Sequence, residues 1–206
     1  MARYVTDFEQ QTPEWYAAKL GCFSGSDFHV FLGNSKTKEE RLWEKLAERR
    51  YLDSDDEEFF SPYTERGNML EPEARRMYSA LREVAVKEVG LVEAEGEFDG
   101  WVVCSPDGLV GEDGIIEIKT LAAKFYCQYT EDKDKKTGKK KELYIRPEHK
   151  TQIQFNLFVT ERQWCDLVYY NARAGITVKR IERDEEYIEK IKEALREGIN
   201  FIEERL

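Results

Sequence analysis

The sequence predicts an α/β fold: a single domain with a central mixed β-sheet flanked by helices. Three observations carry this. Helical and strand-like segments follow one another as helices, three strands, helix, two strands, helix. No internal repeat and no Gly-, Pro- or Ser-rich linker divides the chain. Its 206 residues suffice for one substantial core.

Thr12-Pro13-Glu14 opens a helix, with threonine as N-cap and proline in the first turn, and Gly21 marks its end. Ser24-Gly25-Ser26-Asp27 offers caps for a short second helix ending by Gly33. Thr37-Lys38-Glu39-Glu40 reads as a capping box for a third, running to about Tyr51. The acidic run 53–58 reads as a solvated loop. A helix over 62–83 carries Gly67 and Glu71, with Pro72 restarting or kinking it. Residues 84–93, 101–105 and 114–119 read as strands. A helix over 121–129 leads into 131–142, EDKDKKTGKKKE, whose charge and lack of apolar residues predict a mobile loop. Residues 147–161 read as a helix, and 164–171 and 176–181 as strands. The segment 184–206 reads as a long amphipathic helix, because Ile188, Ile191, Leu195, Ile199, Ile202 and Leu206 recur at intervals of three and four.

Hydrophobic residues make up 41% of the chain and charged ones 36%, which indicates a soluble globular protein. No run approaches the roughly 18 apolar residues of a membrane span. MARYVTDFEQQTPEW has no apolar signal core, so the expected location is cytoplasmic. Cys22, Cys104, Cys127 and Cys165 are scattered, and His29 and His149 stand alone; this argues for buried reduced thiols rather than a zinc site. The formal net charge of -10 argues against a nucleic-acid partner in general. It remains compatible with a site that gathers metal ions on surplus carboxylates and confines basic residues to one patch.

The stretch CSPDGLVGEDGIIEIKT, residues 104–120, carries the candidate chemistry. Side chains alternate along a strand, so Glu117 and Lys119 share one face while Ile116 and Ile118 face core on the other. If 101–105 pairs with 114–119, Asp107, just past the end of the first strand, comes close to Glu117. Two converging carboxylates repel unless a cation lies between them. Hard oxygen ligands suit Mg²⁺ or Mn²⁺, and the carbonyl of Ile118 offers a further oxygen. The Lys119 ammonium could hold an attacking water or stabilise charge on phosphorus. On these residues alone, an ordinary Pro-Asp-Gly turn and a solvated strand face explain the pattern equally well. Glu71 reads as a surface glutamate or as a further carboxylate of the cluster. Gln152 and Gln154 read as surface filler or as contacts to phosphate or to a metal-bound water.

G-x-x-x-E ending at Glu71, S-P-D-G-L, E-I-K and Q-x-Q occur in this order and at separations that resemble the lambda exonuclease or YqaJ-like viral recombinase family. This is a branch of the PD-(D/E)xK nucleases. EWYAAKLGCFSGSDF, the stretch from Val159 to Trp164, and 181–187 also resemble that family, so the likeness covers nearly the whole chain. It implies a restriction-endonuclease-like core over residues 1–206, and a metal-dependent 5′→3′ exonuclease. Such an enzyme resects linear double-stranded DNA to leave 3′ single-stranded tails for phage-type recombination by strand annealing. In that reading Asp107, Glu117 and the Ile118 carbonyl hold metal, Lys119 is the catalytic lysine, and Glu71 completes the acidic cluster as a direct or outer ligand. Ser26, Ser105 and Gln152 match positions lining the pocket for a terminal 5′ phosphate, and Gln154 is placed with them on the DNA side. Lys19 stands where the lambda enzyme has an arginine; without the bidentate fork it predicts a softer preference for that phosphate.

The resemblance further implies Mg²⁺, with Mn²⁺ able to substitute and two ions per site. It implies double-stranded DNA ends and a single-strand annealing recombinase as partners, and a ring-shaped homotrimer. The setting it implies is a bacterial host cell, with the protein encoded by a phage or prophage. Competing readings are a PD-(D/E)xK endonuclease of another subtype and a non-catalytic DNA-binding protein on this fold. The intact Asp107, Glu117 and Lys119 set argues against the latter. An iron–sulfur nuclease would need cysteines after Cys165, and the sequence has none there. The six lysines of 131–142 suit a solvated loop or DNA-backbone contact equally. Trp43, Phe59 and Phe60 suit core packing better than base stacking.

Overall fold

The computed structural model describes residues 2–33, 36–52, 62–130 and 142–206, without the side chains of 62–64. In chain order the strands are β1 (Arg3–Val5), β2 (Val86–Lys87), β3 (Leu91–Glu93), β4 (Val103–Cys104), β5 (Gly108–Val110), β6 (Gly114–Thr120), β7 (Trp164–Asn171) and β8 (Gly175–Glu182). The helices are α1 (Pro13–Lys19), α2 (Lys36–Tyr51), α3 (Pro62–Arg82), α4 (Ala123–Thr130), α5 (Pro147–Thr160) and α6 (Glu185–Glu203). The main sheet is five-stranded, ordered β2-β5-β6-β7-β8, and a smaller one is ordered β1-β3-β4. The central mixed sheet flanked by helices is therefore as the sequence predicts.

Every pairing in the main sheet is antiparallel except β6 with β7. A parallel pair cannot be joined by a tight turn and needs a long crossover; α4 and α5 lie on that connection. Strand β6 is central, and Gly114 to Ile118 are buried on both faces. Ile116 and Ile118 pack with Val168 and Tyr170 against Ala74 and Tyr78 of α3. Ile115 packs on the other face with Leu167, Tyr169, Ile153 and Leu157, and with the apolar stripe of α6. Glu117 and Lys119 share the face of Ile115, beneath α5. The alternation of one strand thus places its two charged side chains between the sheet and a helix.

The long elements match their sequence signals. Asp184 caps α6, accepting the Tyr187 N–H at 3.0 Å, and Ile188, Ile191, Leu195, Ile199 and Ile202 are buried. Leu206 lies past the helix end and is exposed. Thr12 caps α1 through the Trp15 N–H as expected. Pro72 leaves α3 continuous; lacking an N–H, it cannot engage the Asn68 carbonyl one turn earlier.

Several short elements differ from expectation. The segment after Ser24 is a 3₁₀ turn, Phe28–Leu32, whose spacing of three buries Phe28 and Phe31 together. Helix α2 already includes Lys36, so Thr37 lies inside it and the expected capping box is not its start. The predicted strand 84–93 splits between the two sheets at Val89–Gly90. There a Cβ on Gly90 would stand 2.2 Å from the Phe8 carbonyl oxygen, so the N-terminal segment crosses where no side chain fits. The strand expected at 101–105 shrinks to β4 and joins the smaller sheet; the antiparallel partner of β6 is β5, inside the segment read as a turn. The loop expected at 131–142 lies outside the described residues except for Glu142, as do the acidic run 53–58, Phe59 and Phe60. Trp43 is half-exposed, edge-on to Phe201 at 5.2 Å. Cys22, Cys104 and Cys165 are buried free thiols as expected, whereas Cys127 is exposed on α4.

Gly108 allows β5 to sit between β2 and β6: a Cβ there would lie 2.2 Å from Val86 Cγ1 and 3.3 Å from Ile116. Gly108→Ala should therefore destabilise the protein by about 1–3 kcal/mol through overpacking. Urea unfolding measures this, and an unchanged midpoint would show that β2 yields freely.

Candidate active site

The site is built where β5 begins. Gly108 pairs with Ile116, so one residue earlier Asp107 stands level with Glu117, at the edge of β6 that β5 has just left open. The Ile118 N–H on that edge is taken by the Asp107 carboxylate, with Oδ2 accepting it at 2.5 Å. A residue's N–H and C=O lie on the same edge of its strand, which directs the Ile118 carbonyl toward the Asp107 side as well. The Pro106 carbonyl is held by Gln10 Nε2 at 3.1 Å, fixing the turn from below.

Glu117 is buried, and both its oxygens are engaged. Lys119 Nζ is 2.7 Å from Oε1, and Asn156 Nδ2 donates to Oε2 at 3.1 Å. Lys119 also donates to Gln152 Oε1 at 2.8 Å. An ammonium has three donors, and these bonds account for two. Glu71 reaches the site from α3, bonded at 2.5 Å to Arg75 one turn along. Arg75 also donates to the Asp107 carbonyl at 2.9 Å and pairs with Glu88 at 2.7 Å. A cleft of about 330 Å³ is lined by Glu71, Asp107, Glu117, Lys119, Arg146, His149 and Gln152, among others. The structure thus brings Asp107, Glu117, Ile118, Lys119, Glu71 and Gln152 together, although Asp107 reaches Glu117 through the start of β5 rather than through a pairing of 101–105 with β6.

The electrostatics follow from burial and crowding. Burial, then the Glu117 and Glu71 charges, push Asp107 well above the ordinary carboxylate range. Burial also raises Glu71 against the pull of Arg75, and Glu117 adds to the rise. Burial alone would lower Lys119, but Glu117 and Asp107 outweigh it and hold its pKa above the usual value. Burial and the Lys119 charge bring His149 down to about 4, so its imidazole is neutral near pH 7; Nδ1 lies 3.1 Å from the Tyr169 hydroxyl.

Among the described residues no three Asp, Glu, His or Cys side chains already stand as a metal cage. The carboxylates are turned onto Ile118, Lys119, Asn156 and Arg75. Their chemistry nonetheless fits a hard divalent cation: three carboxyl groups line one cleft, and burial, with their neighbours' negative charge, holds Asp107 and Glu71 above the ordinary range.

The residues expected around a terminal phosphate fall into two groups. Trp15 joins the first: its Nε1 donates to Ser105 Oγ at 2.8 Å, and Lys19 Nζ lies over its ring at 3.8 Å. Burial lowers Lys19 to about 8, opposed by the Asp27 charge. In the second group Gly25, beside Ser26, packs on the Gln152 carbonyl. Phe23 bridges Val102 in parallel, so the segment leading to Ser26 starts beside the one leading to Ser105. Gln154 is not brought to this place. It is buried, with Nε2 on the Glu182 carbonyl and Oε1 on the Asp184 N–H, where it ties α5 to the start of α6. Residues two apart on a helix do not face the same way, so Gln152 and Gln154 cannot share the cleft. Sequence reasoning missed Asn156, Arg75, Arg146 and His149. The spacing of four from Glu71 to Arg75 was the available signal for one of them.

A mixed sheet whose central strand ends in a carboxylate and a lysine, with Asp107 level beside them in a D-x9-E-x-K arrangement, defines a nuclease of the PD-(D/E)xK type. The model of the YqaJ-like viral recombinase domain matches residues 14–163, and the chain belongs to that family. The alkaline exonuclease LHK-Exo from Laribacter hongkongensis is similar at a TM-score of 0.79 and 30% identity, over 93% of each chain. The same protein in complex with dAMP matches at 0.79 and 31%, over 93% of each chain. A phage-related exonuclease from Haemophilus somnus shares the fold, with a TM-score of 0.63 at 17% identity over 89% of this chain and 94% of that one. A comparison with curated proteins returns no match. Nucleases of this family generally need a divalent metal. No helix among the described residues is long and apolar enough to cross a membrane.

Because folding holds Asp107 above its ordinary pKa, the folded state favours the protonated form. The metal-free protein therefore loses stability as pH rises from the usual carboxylate range through the raised value. Asp107→Asn removes that loss. In EDTA it should melt above wild type at pH 8, by about 2–4 °C per kcal/mol relieved, with the gap closing toward pH 4. Equal melting at both pH values would show that the carboxylates do not oppose one another.

Proposed function

We propose that this protein is a metal-dependent 5′→3′ exonuclease that resects linear double-stranded DNA and leaves 3′ single-stranded tails. The observation that carries the reading is the meeting of Asp107, Glu117 and Lys119 in one cleft, in a chain of the YqaJ-like family. Asp107, Glu117 and the Ile118 carbonyl, with Glu71, would hold Mg²⁺ or Mn²⁺, two ions per site. Such ions would draw charge from the phosphate and would make water a better nucleophile near neutral pH.

The chain's own residues do the rest. The water oxygen bonds to phosphorus and its proton passes to solvent, the P–O3′ bond breaks and O3′ takes up a proton, and a 5′-mononucleotide leaves; the attacked phosphate becomes the new 5′ end. Lys119, fixed by Glu117 and Gln152, directs its remaining N–H into the cleft, where it stabilises charge developing on the phosphate oxygens. The terminal phosphate is a dianion, unlike an internal diester. Lys19, Ser26, Ser105 and Gln152 offer it an ammonium, two hydroxyls and an amide. Family membership supports a role in phage-type recombination beside a single-strand annealing protein, with a homotrimer as the working form inside a bacterial host.

End-labelled linear duplex with Mg²⁺ or EDTA tests the polarity. Label should leave 5′ ends first, only with metal, and a covalently closed circle should stay intact; loss from 3′ ends first, or nicking of the circle, would overturn the reading. Lys119→Ala should lower kcat about 10²–10³-fold with little change in DNA affinity, as for other lost transition-state donors. A variant that keeps its rate and loses affinity would make Lys119 a simple phosphate contact. Lys19 loses its proton near pH 8. The preference for 5′-phosphate over 5′-hydroxyl ends should therefore fade as pH rises through that value in wild type, and persist in Lys19→Arg, whose guanidinium stays charged. A preference that ignores pH in both proteins would remove Lys19 from the phosphate pocket.

A further inference from the structure

Helix α5 places two amides one turn apart against the E-x-K segment: Gln152 on Lys119 and Asn156 on Glu117. Asn156 is buried at 1% exposure, and its orientation is set by chemistry, since a carboxylate accepts and only the NH₂ end can donate. The other end of the amide meets a different element. A Cβ on Gly25 would lie 2.7 Å from Asn156 Oδ1, and 3.3 Å from both the Gln152 carbonyl oxygen and Phe155. Gly25 does not have a positive φ. Closeness to the amide, not backbone conformation, is what excludes a side chain there. One buried amide thus touches Glu117 on one side and the Ser24–Ser26 loop on the other.

We propose that Asn156 is a positioning residue that fixes Glu117 for the metal and couples it to the Ser24-Gly25-Ser26 loop. The place of the loop expected to meet the DNA end is then felt at the metal carboxylate. This rests on the metal-dependent reading above. It adds that a residue with no ligand atom, Gly25, sets metal affinity through Asn156. Outer partners that orient a metal ligand typically carry 10–100-fold in metal affinity.

The test is calorimetric titration of the whole protein with Ca²⁺, without DNA, so that binding is read apart from turnover. Asn156→Ala should weaken Ca²⁺ binding by about 10-fold or more. Gly25→Ala should also weaken it, because the methyl displaces the amide that holds Glu117. In the double variant the 2.7 Å contact is gone and only the two at 3.3 Å remain, so the loss should approach that of Asn156→Ala alone rather than the sum of the two. Circular dichroism and metal-free melting confirm that each variant is folded. If Gly25→Ala does not fold, Asn156→Ala and the double variant still decide the matter by matching or differing. Unchanged affinity in Asn156→Ala, or additive losses in the double variant, would overturn the coupling while leaving the metal site intact. A wild type that binds no Ca²⁺, and no Mn²⁺ in its place, would overturn the metal reading and this inference with it.

Discussion

Three carboxylates share the end of one strand with too little positive charge to balance them. Glu71, Asp107 and Glu117 are opposed in direct contact by Lys119 and Arg75. Arg75 is itself divided between Glu71 and Glu88. Like charges brought together out of water are unfavourable, and the upward displacement of Asp107 and Glu71 records that cost. The architecture holds the arrangement from three sides. Helix α3 delivers Glu71, the late start of β5 leaves Asp107 on the open edge of β6, and α5 covers Glu117. A structure that opposes its own charges in this way suits a cation and, behind it, a phosphate. This also reconciles a net charge of -10 with a nucleic-acid substrate. The excess acid that repels DNA elsewhere would, at the cleft, suit the divalent ions that this family's nucleases generally need.

The precision of the site comes from backbone as much as from side chains. Asp107 takes the N–H that a longer β5 would have occupied, so the strand ladder itself sets its place. Arg75 grips the carbonyl of the same residue. Glu117 cannot turn freely between Lys119 and the Asn156 amide. The smaller sheet contributes by holding Ser105 at the end of β4, where the Trp15 indole ties it to α1. Two sheets therefore meet at Pro106-Asp107, with Ser105 following β4 of the smaller one and Asp107, Glu117 and Lys119 on the larger.

Much of this was legible in the sequence. Period-two alternation put Glu117 and Lys119 on one face, and the apolar stripe of α6 and the eight-residue strands β7 and β8 were long enough to declare themselves. Strands β1 and β5 were not legible: three residues carry no periodicity, and β5 exists because β2 and β6 offer it edges. The inference that Asp107 approaches Glu117 came from the wrong pairing, since 101–105 belongs to the smaller sheet. Gln154 misled because Q-x-Q suggests a joint role, although residues two apart on a helix diverge. Asn156 and Gly25 gave no signal, because their contact depends on how α5 settles over the loop after α1. The segment 131–141, with its lysines, lies outside the described residues.

Asp107, Glu117 and the Ile118 carbonyl are proposed to bind a divalent ion together. Anomalous diffraction from crystals soaked in Mn²⁺ tests this most directly. A peak bonded to those three oxygen sources is expected on the cleft side of β6. That peak should be absent from Asp107→Asn crystals soaked in the same way. A peak elsewhere with the cleft empty, or an equal peak in the variant, would contradict it.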